Sequence, residues 1–271
     1  MNRRKTDFFT FVCTFLMVLV LLMVGGTVLL IAVRGSTALP GHIRDKETLF
    51  ALMLSVKTAF ISSVICFFLA IPTAYVLTHA SIPFRGAIEI LMELTMTLPY
   101  IVLGLSLLIL FSSPMGKTLK TIGFPVIFHQ NGIILAQLAV NLPFAIRLIT
   151  LAFKDIDNKL EAVAGLLGAT PFRRFYTILL PLCKNALVSA FILIWSRALG
   201  EFGATLMLVG VTRMKTETLP GNIYLNVSTN NLDGALASAF ILLLLSAAAL
   251  FVSDRVTRAD RRKNRYAREQ R

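Results

Sequence analysis

The sequence predicts an all-α, polytopic membrane protein with six transmembrane helices in a single membrane domain over residues 1–271, and three observations predict it. Of the 271 residues, 56% are hydrophobic and only 15% charged, against roughly 25% charged in an ordinary soluble domain. Six apolar segments reach or exceed the roughly 20 residues that cross a bilayer. The polar connections between them carry Lys and Arg on alternate sides in a strongly unequal way, which is how a membrane orientation is written into a sequence. Mean hydropathy is +0.76, and since lipid forbids open sheet edges, apolar runs of this length are helices.

The first span, about 8–33, follows Asn2, Arg3, Arg4 and Lys5. It is longer than a signal-peptide core and lacks a cleavage site, so it is expected to be retained. The second, third and fourth spans, about 50–77, 87–111 and 132–153, contain Pro72, Pro99 and Pro143. Proline there predicts kinks, which suit either a pathway that opens and closes or packing alone. The fifth and sixth spans cover about 186–209 and 234–254. Turn chemistry separates the runs, as in Arg34-Gly35-Ser36 and Ser112-Ser113-Pro114. With the N-terminus inside, the inner connections hold 17 of the 27 Lys and Arg residues and the outer ones 7, so both termini are expected to be cytoplasmic. The basic tail 255–271 is expected to be solvated near anionic membrane lipid. A net charge of +13 invites a nucleic-acid reading, but the basic residues cluster at the ends of apolar runs and form no aromatic-interleaved face, so no nucleic acid is expected.

No reaction chemistry stands out. Cys13, Cys66 and Cys183 have no paired ligand spacing, so neither disulfide nor metal is expected. His42, His79 and His129 are read as loop residues on different faces. Gly116-Lys117-Thr118 lacks the glycine of a phosphate loop because Phe111 stands five positions earlier. The chain is therefore expected not to be an enzyme. Arg147 can snorkel to the inner interface, and Lys57, eight residues into the second span, with Glu89 and Glu93 at the start of the third, is compatible with interfacial solvation or with lining a pathway.

One connection is different. Residues 154–185 form the long inner loop, and a long loop with its own structure is usually functional. Asp157 or Asn158 can cap a short helix, Glu161 favours its first turn, and Gly168 with Pro171 ends it. A second helical piece leads through Phe172, Phe175, Ile178 and Leu179 to Pro181. The small residues Ala162, Ala164, Gly165, Gly168 and Ala169 allow close approach to a partner's backbone, unless the hairpin merely packs on the spans. Over residues 160–182, LEAVAGLLGATPFRRFYTILLPL resembles the EAA loop of ABC importer permeases, with Gly168, nine residues, then Ile178-Leu179-Leu180-Pro181 at that loop's spacing. In this register the name-giving triplet falls on Ala162-Val163-Ala164, with Glu161 one position early. The resemblance implies an ATPase-coupling loop of Glu161, Ala162, Ala164, Gly165, Gly168, Ala169, Pro171 and Arg173.

The fifth span carries charge. Arg197 lies 11 residues from Ala186, about 16 Å at 1.5 Å per residue, near the bilayer midplane. Glu201 follows at i+4, so the two are expected to share a helix face and pair. Gly200 and Gly203 admit a neighbouring helix. SRALGEFGATLMLVG at 196–210 resembles the fifth-span signature of molybdate-type permeases, and TLPYIVLGL at 97–105 and LPFAIRL at 142–148 extend the likeness. In that family this span contributes to the pathway and gate, which implicates Arg197, Glu201, Phe202, Gly203 and Thr205; a purely structural Arg197–Glu201 pair is the alternative.

The resemblance implies a type I ABC importer permease fold in the inner membrane. It further implies a homodimer working with two ATPase subunits that bind ATP and Mg, an extracytoplasmic substrate-binding protein, and no cofactor in this chain. The implied cargo is an oxyanion, molybdate first, then tungstate or sulfate. A different class, an ion-coupled secondary transporter or channel using Lys57, Arg197 and Glu201, would not need the structured loop.

Overall fold

A computed structural model describes residues 8–269 of the chain. The basic residues Arg3, Arg4 and Lys5 lie outside the described residues, as do the side chains of the tail beyond Thr257. Among the described residues there is no strand. Helices α1 (Phe8–His42), α2 (Lys46–His79), α3 (Arg85–Thr97), α4 (Tyr100–Ser112) and α5 (Pro114–Thr121) are followed by α6 (Gln130–Lys154) and the short α7 (Asn158–Leu166) and α8 (Pro171–Arg174). A π-helical turn, Phe175–Leu179, leads into α9 (Leu180–Leu199), and α10 (Gly203–Val209), α11 (Leu219–Ser228) and α12 (Leu232–Glu269) complete the chain. The turn stops just before Pro181, whose missing N–H cannot bond to the carbonyl of Thr177. Five of these stretches are long and apolar enough to span a membrane, and α3 with α4 makes a sixth if taken as one.

Two expected spans are interrupted. The third is not a kinked helix but two helices meeting at 108°. Pro99 holds Leu98 out of the helical region, at φ −63° and ψ 139°, and cannot donate to the preceding turn. The fifth span likewise ends at Leu199 and resumes as α10 after Gly200-Glu201-Phe202. By contrast α2 and α6 continue through Pro72 and Pro143.

The bundle centre is α2, α6 and α9. On α2 the residues Ala51, Ser55, Ala59, Cys66, Ala70 and Ala74 recur at nearly every fourth position and are essentially inaccessible. Small residues at that spacing let helices approach closely in lipid, where packing rather than the hydrophobic effect drives association. At one end Cys66, Ala70, Ile149, Phe153, Leu187 and Ile194 form a cluster; nearer the other, Leu54, Ile133, Ala136 and Val140 pack with Ala204 and Leu208 of α10. Helix α12 covers α9 and receives α1 at Gly35, where a Cβ would meet Phe240 Cβ at 2.5 Å. The apolar length of α1 before that point is exposed, as a lipid-facing span requires.

Candidate functional site

The bundle has two dissimilar ends, and the loop helices α7 and α8 occupy the one reached by the last turns of α2 and α6. Asp157 starts α7 by accepting from the Lys159 N–H at 3.0 Å. The exit is a Schellman motif, with the Gly168 N–H bonded to Gly165 O at 3.0 Å and the Ala169 N–H to Ala164 O at 2.9 Å. It needs a left-handed residue, and Gly168 supplies φ +84°. Thr170 then accepts from the Arg173 N–H, and Pro171 opens α8. Ala162, Gly165, Gly168, Pro171 and Arg173 are exposed, whereas Ala164 and Ala169 are half-buried. Beside them stand Leu166 at 89% exposure, Leu167 at 83% and Phe172 at 73%. So much bare apolar surface on a loop beyond the spans marks a contact surface. Sequence reasoning weighed the small residues and passed over these three, although a Leu-Leu pair directly before a helix-ending glycine was the available signal.

Glu161 does something else. It is buried, and its Oε1 accepts from His79 Nε2 at 3.0 Å. His79 is therefore not a loop residue but the last residue of α2, reaching across to α7. Its ring stacks on Tyr75 at 4.6 Å, Tyr75 meets Phe175 edge-on at 5.0 Å, and Phe175 meets Phe153 of α6 at 6.4 Å. Arg174 donates to the Glu161 carbonyl at 3.4 Å. A Cβ on Gly165 would stand 3.3 Å from Arg174 Nη1, so this glycine also makes room for the arginine. Through these contacts α7 is tied to α2, α6 and the start of α9.

The break in the fifth span overturns the expected Arg197–Glu201 pair. Because α9 stops at Leu199, Glu201 is no longer one turn above Arg197. Its buried carboxylate accepts from the N–H groups of Ala204 at 2.7 Å and Thr205 at 3.2 Å, and from the Thr205 hydroxyl. It thus caps α10. Arg197 donates through Nη2 to the Tyr100 hydroxyl and lies 4.8 Å from the Phe144 ring centre. No carboxylate pairs with it among the described residues. Each charge is instead placed at the helix end that favours it, the cation in the last turn of α9 and the anion at the start of α10.

Neighbouring groups hold this break. A Cβ on Gly104 would lie 2.6 Å from Ala204 O, and one on Gly203 would lie 3.1 Å from Tyr100 Cβ, so α4 and α10 touch backbone to backbone. Half-buried Phe202 faces Tyr224 at 5.5 Å, and Thr205 is buried. Gln137 of α6 donates to Ala198 O at 3.0 Å, satisfying a carbonyl left by the end of α9, and accepts from Ser62 at 3.0 Å. Amides at 137 and 141, four apart in an apolar run, were the signal for it, and it went unread. Phe144 lies 14 residues after Gln130 and 10 before Lys154, about 21 Å and 15 Å along the helix, which puts the Arg197 guanidinium near mid-membrane.

At the other end, Glu217 is fully buried and accepts from Asn222 at 2.9 Å, from the Met214 N–H at 3.2 Å and from Arg213 at 3.2 Å. Arg213 also pairs with Glu47 and donates to Asn226 at 3.2 Å. This network joins α2, α11 and the 210–218 loop, and nothing in the apolar periodicity announced it. A cavity of about 210 Å³ between α3 and α6 is lined by Glu89, Glu93 and Arg147, three of the four residues read as compatible with interfacial solvation, together with Lys154.

Comparison with known proteins fits this architecture. The family described as "Binding-protein-dependent transport system inner membrane component" matches residues 67–265. The chain is 38% identical over 204 residues to a molybdenum transport system permease protein of Mycobacterium tuberculosis, covering 74% of this chain and 76% of that one. It is 30% identical over 217 residues to the molybdenum transport system permease protein of Escherichia coli (strain K12), covering 79% and 95%. Among solved structures, a bacterial alginate ABC transporter in complex with an alginate pentasaccharide-bound periplasmic protein superposes with a TM-score of 0.74 at 15% identity, over 94% of this chain and 96% of that one. An inward-facing methionine ABC transporter gives 0.62 at 19% identity, over 79% and 96%.

Proposed function

This chain belongs to the binding-protein-dependent transport system inner membrane component family, and on that premise we propose that it carries molybdate inward, with tungstate and sulfate as the next candidates. It is the multi-pass permease subunit of an ABC importer for oxyanions, and hydrolysis belongs to a partner ATPase subunit. A substrate-binding protein delivers the cargo. In our reading the permease acts as a homodimer with two ATPase subunits that bind ATP and Mg, and this chain needs no cofactor. Both termini are cytoplasmic, as the 17 to 7 distribution of basic residues favours.

The observation that carries this reading is the loop 154–185. An apolar tip of Leu166, Leu167 and Phe172 offers a docking surface, flanked by Ala162, Gly165, Gly168, Pro171 and Arg173, and Glu161 fastens that tip to α2. ATP-driven closure of the ATPase pair displaces α7, and the link through His79, Tyr75 and Phe175 passes the movement to the spans. Ala164 and Ala169 form the turn that holds the tip in place. In our reading Arg197 and Phe202 line the pathway, while Glu201, Gly203 and Thr205 hold the broken span in shape. Alternating access follows when the halves rock about these breaks.

The test is reconstitution in liposomes with and without the ATPase and binding protein. Uptake of molybdate only when ATPase, ATP and loaded binding protein are all present is the expected result. Uptake by this chain alone, driven by an ion gradient, would instead make it a secondary transporter.

A further inference from the structure

We propose that Arg197 is the permease's own oxyanion contact, a mid-membrane residue that binds the passing anion transiently through its guanidinium. The inference rests on the oxyanion reading above and adds a binding residue to it. Three observations converge. Arg197 sits near the height of Phe144, far enough from both ends of α6 that its side chain cannot reach either interface. Ionised groups in a bilayer ordinarily pair with one another, yet the nearby carboxylate is committed to Ala204 and Thr205, and no other pairs with Arg197 among the described residues. Finally, its Nε–H is buried and has no acceptor, a loss comparable to that of a whole hydrogen bond.

A tetrahedral oxyanion supplies what is missing. A guanidinium presents donors in a planar fork that matches two oxygens of such an anion, and the charge-assisted pair is stronger in a water-poor site. Between passages the cation rests on the faces of Phe144 at 4.8 Å and Tyr100 at 5.6 Å, with the Tyr100 hydroxyl as its one acceptor. Rings stabilise the cation without neutralising it, so an arriving dianion competes against a weak partner rather than a carboxylate. A Glu201 partner would have closed the site to anions.

The experiment uses the assembled transporter in liposomes with molybdate-loaded binding protein, comparing wild type with Arg197→Met, Arg197→Gln and Arg197→Lys. Molybdate uptake and ATP hydrolysis are read together. The expected result is at least a tenfold fall in anion taken up per ATP for the two neutral variants, with stimulated hydrolysis within about twofold of wild type and uptake partly restored by Lys. Wild-type uptake per ATP in Arg197→Met or Arg197→Gln overturns the proposal. Loss of assembly in both neutral variants also overturns it, in favour of a packing role. Should the wild-type complex take up no molybdate, tungstate or sulfate, the oxyanion reading itself fails, an outcome separate from any effect of the variants.

Discussion

Replacing His79 by alanine cuts the link between the loop and α2, and the size of the effect can be worked from the contact. His79 and Glu161 are joined at 3.0 Å, with side chains 21% and 10% exposed. A hydrogen bond to an ionised group in such surroundings contributes about 1.5–3 kcal/mol, which is about 10- to 150-fold in the balance between an attached and a detached α7. Detachment lets the ATPase move the loop without moving the spans, so hydrolysis should continue while transport fails. The assay is a double-mutant cycle in the reconstituted complex, with His79→Ala, Glu161→Ala and the double variant, reading uptake per ATP hydrolysed. Each single variant should lose most coupling, and the double should be no worse than the worse single one, because both remove the same contact. His79→Gln, which keeps a donor, should recover part of it. Losses that multiply, or normal uptake per ATP in His79→Ala, would refute the reasoning.

Leu166→Ser together with Leu167→Ser should leave the permease's own stability within about 0.5 kcal/mol, since both side chains are exposed, while the ATPase no longer co-purifies. Gly168→Trp should insert normally but lose substrate-stimulated hydrolysis: nothing lies within 4 Å of its Cβ position, so the intrusion falls on the partner, and the left-handed backbone adds about 1–2 kcal/mol of local strain. In a cycle on thermal stability, Arg197→Met and Glu201→Gln should add within about 0.5 kcal/mol, as for unpaired sites; a larger coupling would restore the ion pair. Glu217→Ala leaves the Asn222 amide and the Met214 N–H without their acceptor, while Arg213 keeps Glu47 and Asn226, and should cost about 1–3 kcal/mol for each stranded buried donor in a denaturation experiment.

What could be read from sequence was what repeats or recurs. The apolar runs disclosed the spans, and Asp157, Gly168 and Pro171 disclosed the loop helices, because caps and stops act on neighbours. The interruption at Leu199 was hidden: Gly200 and Gly203 permit a break but do not require one, and only the seating of α10 against Gly104 and Ile133 makes the interrupted form pack. His79 was hidden for another reason. Its partner lies 82 positions away, and no periodicity within one helix can indicate such a contact. Gln137 and Glu217 are similar, single polar groups whose meaning depends on which backbone atoms the fold places beside them.

The two breaks have one physical origin and one consequence. Lipid offers no water to free backbone groups, so an interrupted helix needs protein partners at each loose end. Gln137 serves the end of α9, Glu201 the start of α10, and Gly104 lets α4 close over the junction. Every one of these partners sits on an element other than α9. The piece carrying Arg197 can then tilt against α10 without tearing helical hydrogen bonds, because the N–H groups of Gly200 and Glu201 bond back to Ala198 O and Phe202 O accepts forward from Leu206 N–H. A continuous helix with an Arg197–Glu201 pair would have been stiffer and charge-neutral. The broken one separates the two groups, the carboxylate binding the first turn of α10 and the guanidinium resting on Tyr100 and Phe144.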